Sequence, residues 1–404
     1  MGYNRTFLLV FSLLWAGGSL CASHEVPMAP KKVVIFSSTG GGGHTAAAAA
    51  ITEYLSSGAE VTTVNIFKEV FYSGPEAFYN NCLAHNRLGL ASALAVMGRF
   101  GFQQLSCLVD VAVKKHLHRL LVQGIKPDLV ISVVPFINGA IARFTAQHNI
   151  PFIIVAPDFD IVNYLPGFSV VPPQFSLLVP HHVASSQALL EKYDIPLENL
   201  QVVGLPVRKQ FLMAYPRQKV RADYCKKVSS GASPRALTIM LLMGAVGSES
   251  VYSYAKALAA MNTSKPMHVI VCVGKNEALA KKISSIVPQG NMHITVQRFT
   301  AHIALLMAMS DVLITKPGPT SISEALHMQL PLILDHTKGQ LSWEKANSDF
   351  VTKHGIGYVI DKLTTLPALV RSCSPAVLRV MKNRMRKLAG NPCQRIQSFL
   401  KSQL

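Results

Sequence analysis

Short runs of consecutive apolar residues recur along the chain, and most are followed by a segment whose apolar positions have helical spacing. The first run is residues 31–38, and a second series of runs starts at residues 237–242. Runs that are apolar on both faces are typical of strands in parallel sheets, which helices cover on each side. The pattern therefore predicts an α/β protein with two series of strand and helix units.

The same alternation predicts the other elements. In the first series we expect strands at residues 60–65, 126–134, 151–155, 177–179 and 200–203, and helices at 44–56, 105–121 and 137–147. In the second series we expect strands at 268–273, 294–296, 311–315 and 330–334, helices that end near residues 261 and 310, and a helix after Pro319. Each series is long enough for a domain of about 150–200 residues.

The domain boundaries follow from breaks in this pattern. Residues 215–221 are rich in Pro, Arg and Lys and lack apolar periodicity, which predicts a connection between domains. We therefore assign an N-terminal domain to residues 31–215 and a C-terminal domain to residues 222–373. The tail at 374–404 is expected to be a solvated basic helix that carries Arg379, Lys382, Arg384, Arg386 and Lys387.

Two strand-to-helix loops are candidates for ligand binding. Residues 39–44 (Thr-Gly-Gly-Gly-Gly-His) lead into an alanine-rich helix, and residues 316–320 (Lys-Pro-Gly-Pro-Thr) lead into a helix that Thr320 or Ser321 can cap. Glycine lets the backbone approach a ligand closely, and the N–H groups at a helix start attract anions. The second loop therefore predicts a site for an anion, most simply a phosphate.

The charge balance adds an expectation about partners. Lys and Arg exceed Asp and Glu by 39 to 21, for a net charge of +18, although only 15% of the residues are charged. Such a surplus favours an anionic partner, either nucleic acid or an acidic membrane surface. We find no zinc knuckle, RNP-like strand or dense basic tract, so we favour the membrane and expect no nucleic acid.

One segment is a candidate for membrane contact. The aromatic residues of 98–102 precede the predicted helix 105–121, which is basic toward its end through Lys114, Lys115 and Arg119. Basic charge beside exposed aromatic side chains is typical of proteins that lie on an anionic bilayer. An ordinary core helix with a solvated basic end explains the segment equally well.

The cysteines and the N-terminal segment give information about the cellular compartment of the protein. Seven scattered cysteines, with no Cys-x-x-Cys pair, indicate reduced and mostly buried thiols. Arg5, the apolar run at 7–15 and the small residues up to Ser23 match a secretory signal, and the run is short for a membrane span. The segment is a cleaved signal, an uncleaved anchor or an over-long start.

Three motifs in order carry a family resemblance. They are residues 38–44, Gly204-Leu-Pro-Val-Arg208, and residues 310–318 leading into Ser323-Glu-Ala-Leu326. In these the chain resembles the diacylglycerol glycosyltransferases, namely monogalactosyldiacylglycerol synthase and the processive diacylglycerol glucosyltransferases, which are similar in turn to MurG. The resemblance covers residues 33–360 and implies the GT-B fold, with two Rossmann-like domains and parallel sheets facing each other across a cleft.

The resemblance also implies an activity. An enzyme of this kind is expected to move a hexose from a UDP-sugar in the C-terminal domain to diacylglycerol in the N-terminal domain, with inversion and at an anionic membrane surface. Neither a metal nor another cofactor is expected, since backbone N–H groups of the helix after Pro319 and of the loop at 244–248 can serve the departing diphosphate. Because nucleotide sugars are normally supplied in the cytosol, we expect a membrane-associated protein on the cytosolic face and discount a cleaved signal.

The motif at 38–44 implies the catalytic groups. His44 is the expected general base, because histidine exchanges protons near neutral pH, and Gly41, Gly42 and Gly43 form the acceptor loop. Alternatively, His44 caps the helix or contacts a phosphate. Asp158, at a strand end, is expected to assist His44 or orient the acceptor, although such residues are often turn formers.

The donor site is implied by the second half of the chain. Phe299 is expected to stack on the uracil ring, or else is a core residue, and Glu324 is expected to bind the ribose, or else forms a capping box with Ser321. Lys316 either faces the diphosphate or is a solvated flank. The other expected donor residues are Gly244, Gly247, Ser248, Gly318, Thr320, Ser323, Gln340, Glu344 and Asn347.

The sequence departs from the family pattern after residue 339. Family members have Gly-Gln-Glu followed two residues later by Asn, whereas here about three residues are added before Asn347, and Trp343 stands in the Gln position. Either Gln340 reaches the sugar through a longer loop or sugar recognition has changed. Three other functions stay open: MurG-like transfer of N-acetylglucosamine to a polyprenyl-diphosphate lipid, a nucleotide-sugar epimerase, and a non-catalytic nucleotide- or lipid-binding module.

Overall fold

The computed structural model describes residues 29–71, 74–85, 87–93, 106–124, 126–181, 184–227, 232–244 and 248–404. Lys31–Leu404 forms one unit. The N-terminal segment 1–23, the aromatic segment 98–102 and Gly247 lie outside the described residues. Within the described ranges, no helix combines the length and the hydrophobicity that are needed to cross a bilayer.

A parallel sheet forms the centre of the N-terminal half. Its strands are β1 (Lys31–Ser37), β2 (Ala59–Asn65), β3 (Leu129–Ser132), β4 (Phe152–Val155), β5 (Phe175–Val179) and β6 (Leu200–Val202), in the order β2-β1-β3-β4-β5-β6. The accompanying helices are α1 (Gly43–Leu55), α2 (Ile66–Phe71), α3 (Gly74–Ala84), α4 (Ser106–Val122), α5 (Asn138–His148) and α6 (Ala184–Glu191). Buried side chains of the strands and of α1 form its core.

A second parallel sheet forms the centre of the C-terminal half. Its strands are β7 (Leu237–Leu242), β8 (Met267–Gly274), β9 (Met292–Arg298), β10 (Val312–Thr315), β11 (Leu332–Asp335) and β12 (Gly357–Ile360), in the order β12-β11-β10-β7-β8-β9. The helices here are α7 (Arg217–Lys227), α8 (Ser250–Ala259), α9 (Glu277–Ser284), α10 (Ile303–Met309), α11 (Pro319–His327), α12 (Lys345–Lys353) and α13 (Leu366–Ser372). The expected α/β architecture with parallel sheets is confirmed.

The strand order places both candidate loops at a switch point. The chain passes from β1 to β2 on one side and later returns to β3 on the other side, so the loop after β1 lies where the direction of winding reverses. In the second sheet, β7 lies between β8 and β10 in the same way. Ligands of open parallel sheets bind at such points, because neighbouring loops diverge there and leave a crevice.

The predicted connection at residues 215–221 is not irregular. Most of it forms the first turns of α7, which begins at Arg217. Arg217 and Arg221 both donate to Asp311, at the start of β10. Ion pairs therefore attach the start of this helix to the C-terminal sheet, and Val220 and Tyr224 pack against the same core.

The C-terminal tail forms two helices, α14 (Pro375–Ala389) and α15 (Pro392–Ser402). Ile396 and Leu400 of α15 are fully buried in the core of the N-terminal half, and Gln397 donates to the carbonyl of Tyr54 over 2.9 Å. The last helix therefore stabilises the first domain. In α14 the basic side chains are mostly exposed as expected, but Lys382 is half-buried, and burial lowers its pKa to about 8.

We expect Ile396→Ala to lower the free energy of unfolding by about 3 kcal/mol, because it leaves a cavity in the N-terminal core. Urea unfolding followed by tryptophan fluorescence and circular dichroism measures the loss. Ser398→Ala, at an exposed position of the same helix, is the matched control and leaves the midpoint unchanged. Equal midpoints for the two variants would show that α15 does not support the domain.

Candidate active site

A cleft of about 620 Å³ lies between the two halves, at the carboxyl ends of the strands. The glycine loop and α1 form one wall, and the loops after β7, β9 and β10 form the other. Many of the predicted site residues line this cleft, namely Gly41, Gly42, Gly43, His44, Asp158, Gly244, Phe299, Lys316, Gly318, Thr320, Glu324 and Glu344. Ser248 lines a smaller adjoining cavity of about 50 Å³.

His44 is the second residue of α1, and its ring is half-buried. Its Nδ1 lies 2.7 Å from the carbonyl oxygen of Val133, the residue after β3. A carbonyl only accepts hydrogen bonds, so Nδ1 carries the proton and Nε2 of the neutral ring has a free lone pair. The alternative of a helix cap is wrong, because Gly42 is the N-cap of α1.

Asp158 follows β4 and is half-buried. The hydroxyl of Tyr164 donates to its Oδ2 over 2.5 Å. Burial raises the pKa of Asp158, and the nearby His44, when it is protonated, opposes that rise. The neighbouring Asp160, not Asp158, forms the turn, since its Oδ1 accepts from the N–H of Val162.

The glycine loop is bonded within its own domain. The N–H of Thr39 donates to Glu76 over 2.9 Å, that of Gly40 to the hydroxyl of Ser38 over 3.0 Å, and that of Gly41 to Asn80 over 2.8 Å. Gly41 and Gly42 have φ angles of 72° and 84°, which other residues rarely adopt. The loop therefore reverses direction and starts α1 with His44 at the cleft.

Lys316 lies between the two loops of the C-terminal wall. A Cβ placed on Gly244 would lie 3.4 Å from its Cε, and one placed on Gly318 would lie 3.5 Å away. This position follows from the pairing of Leu242 with Thr315, which brings the ends of β7 and β10 together. The charge of Lys316 also lowers the pKa of Glu344, against a larger upward effect of burial. Lys316 is therefore a cleft residue and not a solvated flank.

Glu324 is 4% exposed and forms an ion pair with Arg208, with 2.5 Å between Oε1 and Nη2. Burial raises the pKa of Glu324, and the charge and hydrogen bond of Arg208 lower it. The capping-box alternative is wrong, as is capping by Thr320 or Ser321: α11 has Gly318 as its N-cap and Pro319 in its first turn, with no side-chain cap. The pair joins the two halves of the protein across the cleft.

Phe299 follows β9 at the edge of the cleft and is 62% exposed. The Nζ of Lys275 lies 5.1 Å from its ring centroid. The core alternative is therefore wrong, and one face of the ring is open to a ligand.

Three predicted donor residues, Ser323, Gln340 and Asn347, line neither the cleft nor the adjoining cavity. Ser323 and Asn347 are buried, and the Nδ2 of Asn347 donates to the carbonyl of Pro317 over 2.7 Å. Gln340 bonds to the hydroxyl of Ser348 instead, at 3.3 Å. Trp343 lines the cleft, whereas Gln340 does not.

Sequence reasoning also missed several residues at the site. Arg208 belongs to a recognised motif but had no assigned role, and Tyr79 of α3 lines the cleft without any local signal. Burial raises the pKa of Tyr79, and the nearby charges of Glu344 and Asp158 add to the effect. Among the described residues, no group of three or more His, Cys, Asp and Glu side chains is arranged to hold a metal ion.

The two parallel α/β halves and the cleft between them have the architecture of the GT-B fold. Residues 238–401 match the glycosyltransferase family 28 C-terminal domain. Two solved structures agree with the fold: MurG of Acinetobacter baumannii, with a TM-score of 0.60 and 16% identity over 92% of this chain and 100% of that chain, and the calicheamicin glycosyltransferase CalG4, with a TM-score of 0.58 and 16% identity over 93% and 99%.

Curated relatives confirm the resemblance seen in the motifs. The chain is 28% identical over 293 residues to the chloroplastic monogalactosyldiacylglycerol synthase of Spinacia oleracea, across 69% of this chain and 52% of that protein. It is 26% identical over 314 residues to a processive diacylglycerol beta-glucosyltransferase of Bacillus cereus, across 77% of this chain and 70% of that protein. The chain thus matches about half the length of the spinach protein.

We expect Arg208→Ala to destabilise the protein by about 3 kcal/mol, because it leaves the buried carboxylate of Glu324 without a partner. Urea unfolding midpoints measure the effect. The double variant Arg208→Met, Glu324→Gln is expected to lose less, because no unpaired charge remains.

Arg298→Ala is the matched control for this pair. It removes an Arg–Glu pair whose side chains are exposed, and solvent screening leaves such pairs with little effect on stability. Equal losses for Arg208→Ala and Arg298→Ala would mean that the pair between the domains is no stronger than a surface pair.

Proposed function

We propose that the protein transfers a hexose, with inversion, from a UDP-sugar to the hydroxyl group of diacylglycerol or a similar lipid. The observation that carries the proposal is the hydrogen bond from His44 Nδ1 to Val133, which leaves Nε2 as a base in a cleft whose opposite wall suits a diphosphate. The two diacylglycerol glycosyltransferases named above support the acceptor class.

The proposed reaction is a single displacement. Nε2 of His44 removes the proton of the acceptor hydroxyl as its oxygen attacks the anomeric carbon. The bond from that carbon to the oxygen of the β-phosphate breaks, and UDP leaves with the electron pair. Asp158 stabilises the imidazolium that forms, and the product carries the inverted configuration.

The departing diphosphate needs positive charge, which the C-terminal wall provides. The start of α11 lies in this wall directly after β10, and Lys316 lies between the loops that follow β7 and β10. Fixed dipoles and charges of this kind stabilise a leaving group without reorganisation. Phe299 is placed for stacking on the uracil ring, and Glu324 serves the ribose if the donor displaces Arg208.

The glycine loop favours a neutral acceptor over a lipid diphosphate. The N–H groups of Thr39, Gly40 and Gly41 are bonded to Glu76, Ser38 and Asn80, so they are occupied. Hydrogen bonds lower the pKa of Glu76 against burial, which keeps a negative charge directly behind the loop. A diphosphate at this point would meet that charge, whereas a hydroxyl group would not.

We further propose that the N-terminal half lies on an anionic membrane at the cytosolic face. Phe78 and Val111 are exposed apolar side chains of α3 and α4, and Lys114 and Lys115 are exposed on α4. Apolar side chains beside basic ones are suited to the boundary between lipid head groups and acyl chains. A lipid acceptor could then enter the cleft without leaving the bilayer.

The non-catalytic alternative has less support. Its main argument was the altered segment before Asn347, and that segment still places Glu344 and Trp343 in the cleft. His44, Lys316 and Glu344 thus face one space from both domains. The nucleotide-sugar epimerase has no observation in its favour.

The first test is sugar transfer from radiolabelled UDP-glucose, UDP-galactose and UDP-N-acetylglucosamine to diacylglycerol or to a polyprenyl-diphosphate lipid in anionic vesicles. We expect a labelled glycolipid with diacylglycerol, and a loss of at least about 100-fold in His44→Ala. His44→Asn is the matched variant, since its amide can still donate to Val133 but cannot act as a base. Full activity of His44→Asn, or product only with the diphosphate lipid, would contradict the proposal.

A second test concerns the donor. We expect Phe299→Ala to weaken UDP binding about 10-fold, because stacking of a base on an aromatic ring contributes about 1–3 kcal/mol. Isothermal titration calorimetry measures the affinity. Val287→Ala, at another exposed apolar position, is the control and keeps wild-type affinity. Equal UDP affinity of Phe299→Ala and wild type would place the uracil elsewhere.

A further inference from the structure

One face of α3 is directed at the glycine loop. Glu76, Tyr79, Asn80 and Leu83 are spaced as neighbours on one side of a helix, and all four lie against the loop. A Cβ placed on Gly41 would lie 3.8 Å from both Tyr79 and Leu83. Both the polar and the apolar residues of this face contact the loop rather than facing only solvent.

Glu76 accepts four hydrogen bonds through its two carboxylate oxygens. Oε1 accepts from the hydroxyl of Ser38 over 2.5 Å and from the N–H of Thr39 over 2.9 Å. Oε2 accepts from the hydroxyl of Thr39 over 2.7 Å and from Asn65 over 2.9 Å. Ser38 and Thr39 follow β1, and Asn65 is the last residue of β2. The buried carboxylate of Glu76 therefore holds α3 rigidly against the ends of both strands.

Asn80 holds the next part of the loop from both sides. Its Oδ1 accepts from the N–H of Gly41 over 2.8 Å, and its Nδ2 donates to the carbonyl of Thr39 over 3.1 Å. Gly41 has a φ of 72°, and a glycine backbone can adopt many other conformations. These bonds therefore hold the loop in one of them. His44 follows three residues later.

The other end of α3 reaches the C-terminal domain. The carbonyl of Ala84 accepts from the N–H of Glu249 over 3.2 Å, and Cys82 packs in one apolar cluster with Leu341. Trp343 packs against the same cluster. A single helix thus touches the loop that carries His44 and the segment that forms the opposite wall of the cleft.

We propose that Glu76 and Asn80 are positioning residues for His44, and that α3 fixes this base relative to the donor wall. This proposal rests on the proposed function, since it assigns the two residues to the same transfer. Neither residue lines the cleft, and both act through the backbone of residues 39–41. Misplacement of a catalytic group by about 1 Å can cost about 100-fold in rate, so the loss of one bond to the loop is expected to be measurable.

The test compares Asn80→Ala with Asn81→Ala. Asn81 is the next residue of the same helix and is exposed, so the pair differs only in the contact with the loop. We expect Asn80→Ala to lower kcat about 10- to 100-fold with the KM for the UDP-sugar unchanged within about twofold, and Asn81→Ala to match wild type. Glu76→Gln is expected to act like Asn80→Ala, because an amide cannot accept four hydrogen bonds.

Hydrogen exchange provides a readout that needs no activity. In the peptide that covers residues 37–45, the amides of Thr39 and Gly41 are expected to exchange faster in Asn80→Ala than in Asn81→Ala, with protection of other peptides unchanged. Wild-type kcat in Asn80→Ala would overturn the proposal. A parallel loss of UDP affinity and thermal stability would also overturn it, by showing a general structural role.

The experiments distinguish failure of the proposed sugar transfer from failure of the proposal that Glu76 and Asn80 position His44. If the wild-type protein transfers no sugar from any donor to either lipid, the assignment of an activity is wrong, and hydrogen exchange alone decides on the two residues. Faster exchange at residues 39–41 in Asn80→Ala then supports their hold on the loop, and unchanged exchange refutes it.

Discussion

The bond between His44 Nδ1 and the carbonyl of Val133 determines what the cleft can do, because it decides which ring nitrogen carries the proton. That bond exists only because β1 and β3 are neighbours: the N–H of Val133 still pairs with Phe36 at the end of β1. A crossover of the chain after β2 produces this neighbourhood. The tautomer of one neutral imidazole thus follows from the order of strands in a sheet.

Both glycine-containing loops connect a strand to a helix, but they differ in what their N–H groups can bind. In the N-terminal loop, side chains of α3 and Ser38 occupy successive N–H groups, so the loop serves as a support for His44. In the C-terminal half, Gly318 caps α11 without any side-chain bond, which leaves the first N–H groups of that helix for a ligand. A glycine loop before a helix is therefore a phosphate site only where its donors are free.

Contacts between the halves concentrate polar and apolar groups around the cleft. The ion pair of Arg208 with Glu324 joins one side, and the cluster of Cys82 with Leu341 joins the other. Each contact places a residue of one domain against a wall built by the other. The relative position of His44 and Lys316 is thereby fixed by few residues, and a ligand that binds Glu324 would have to compete with Arg208.

The sequence alone determined every strand except β12, about half of the described helices and both loops, because apolar runs and glycine positions are local signals. It also identified His44, Lys316 and Phe299 by motif. Tertiary structure decided the partners of polar groups: Glu324 meets Arg208, 116 positions away, and Glu76 meets Ser38, 38 positions away. From the sequence alone, a polar helix face is expected to be exposed to solvent. Only the packing of the chain shows whether its hydrogen-bonding groups bond to water or to another loop.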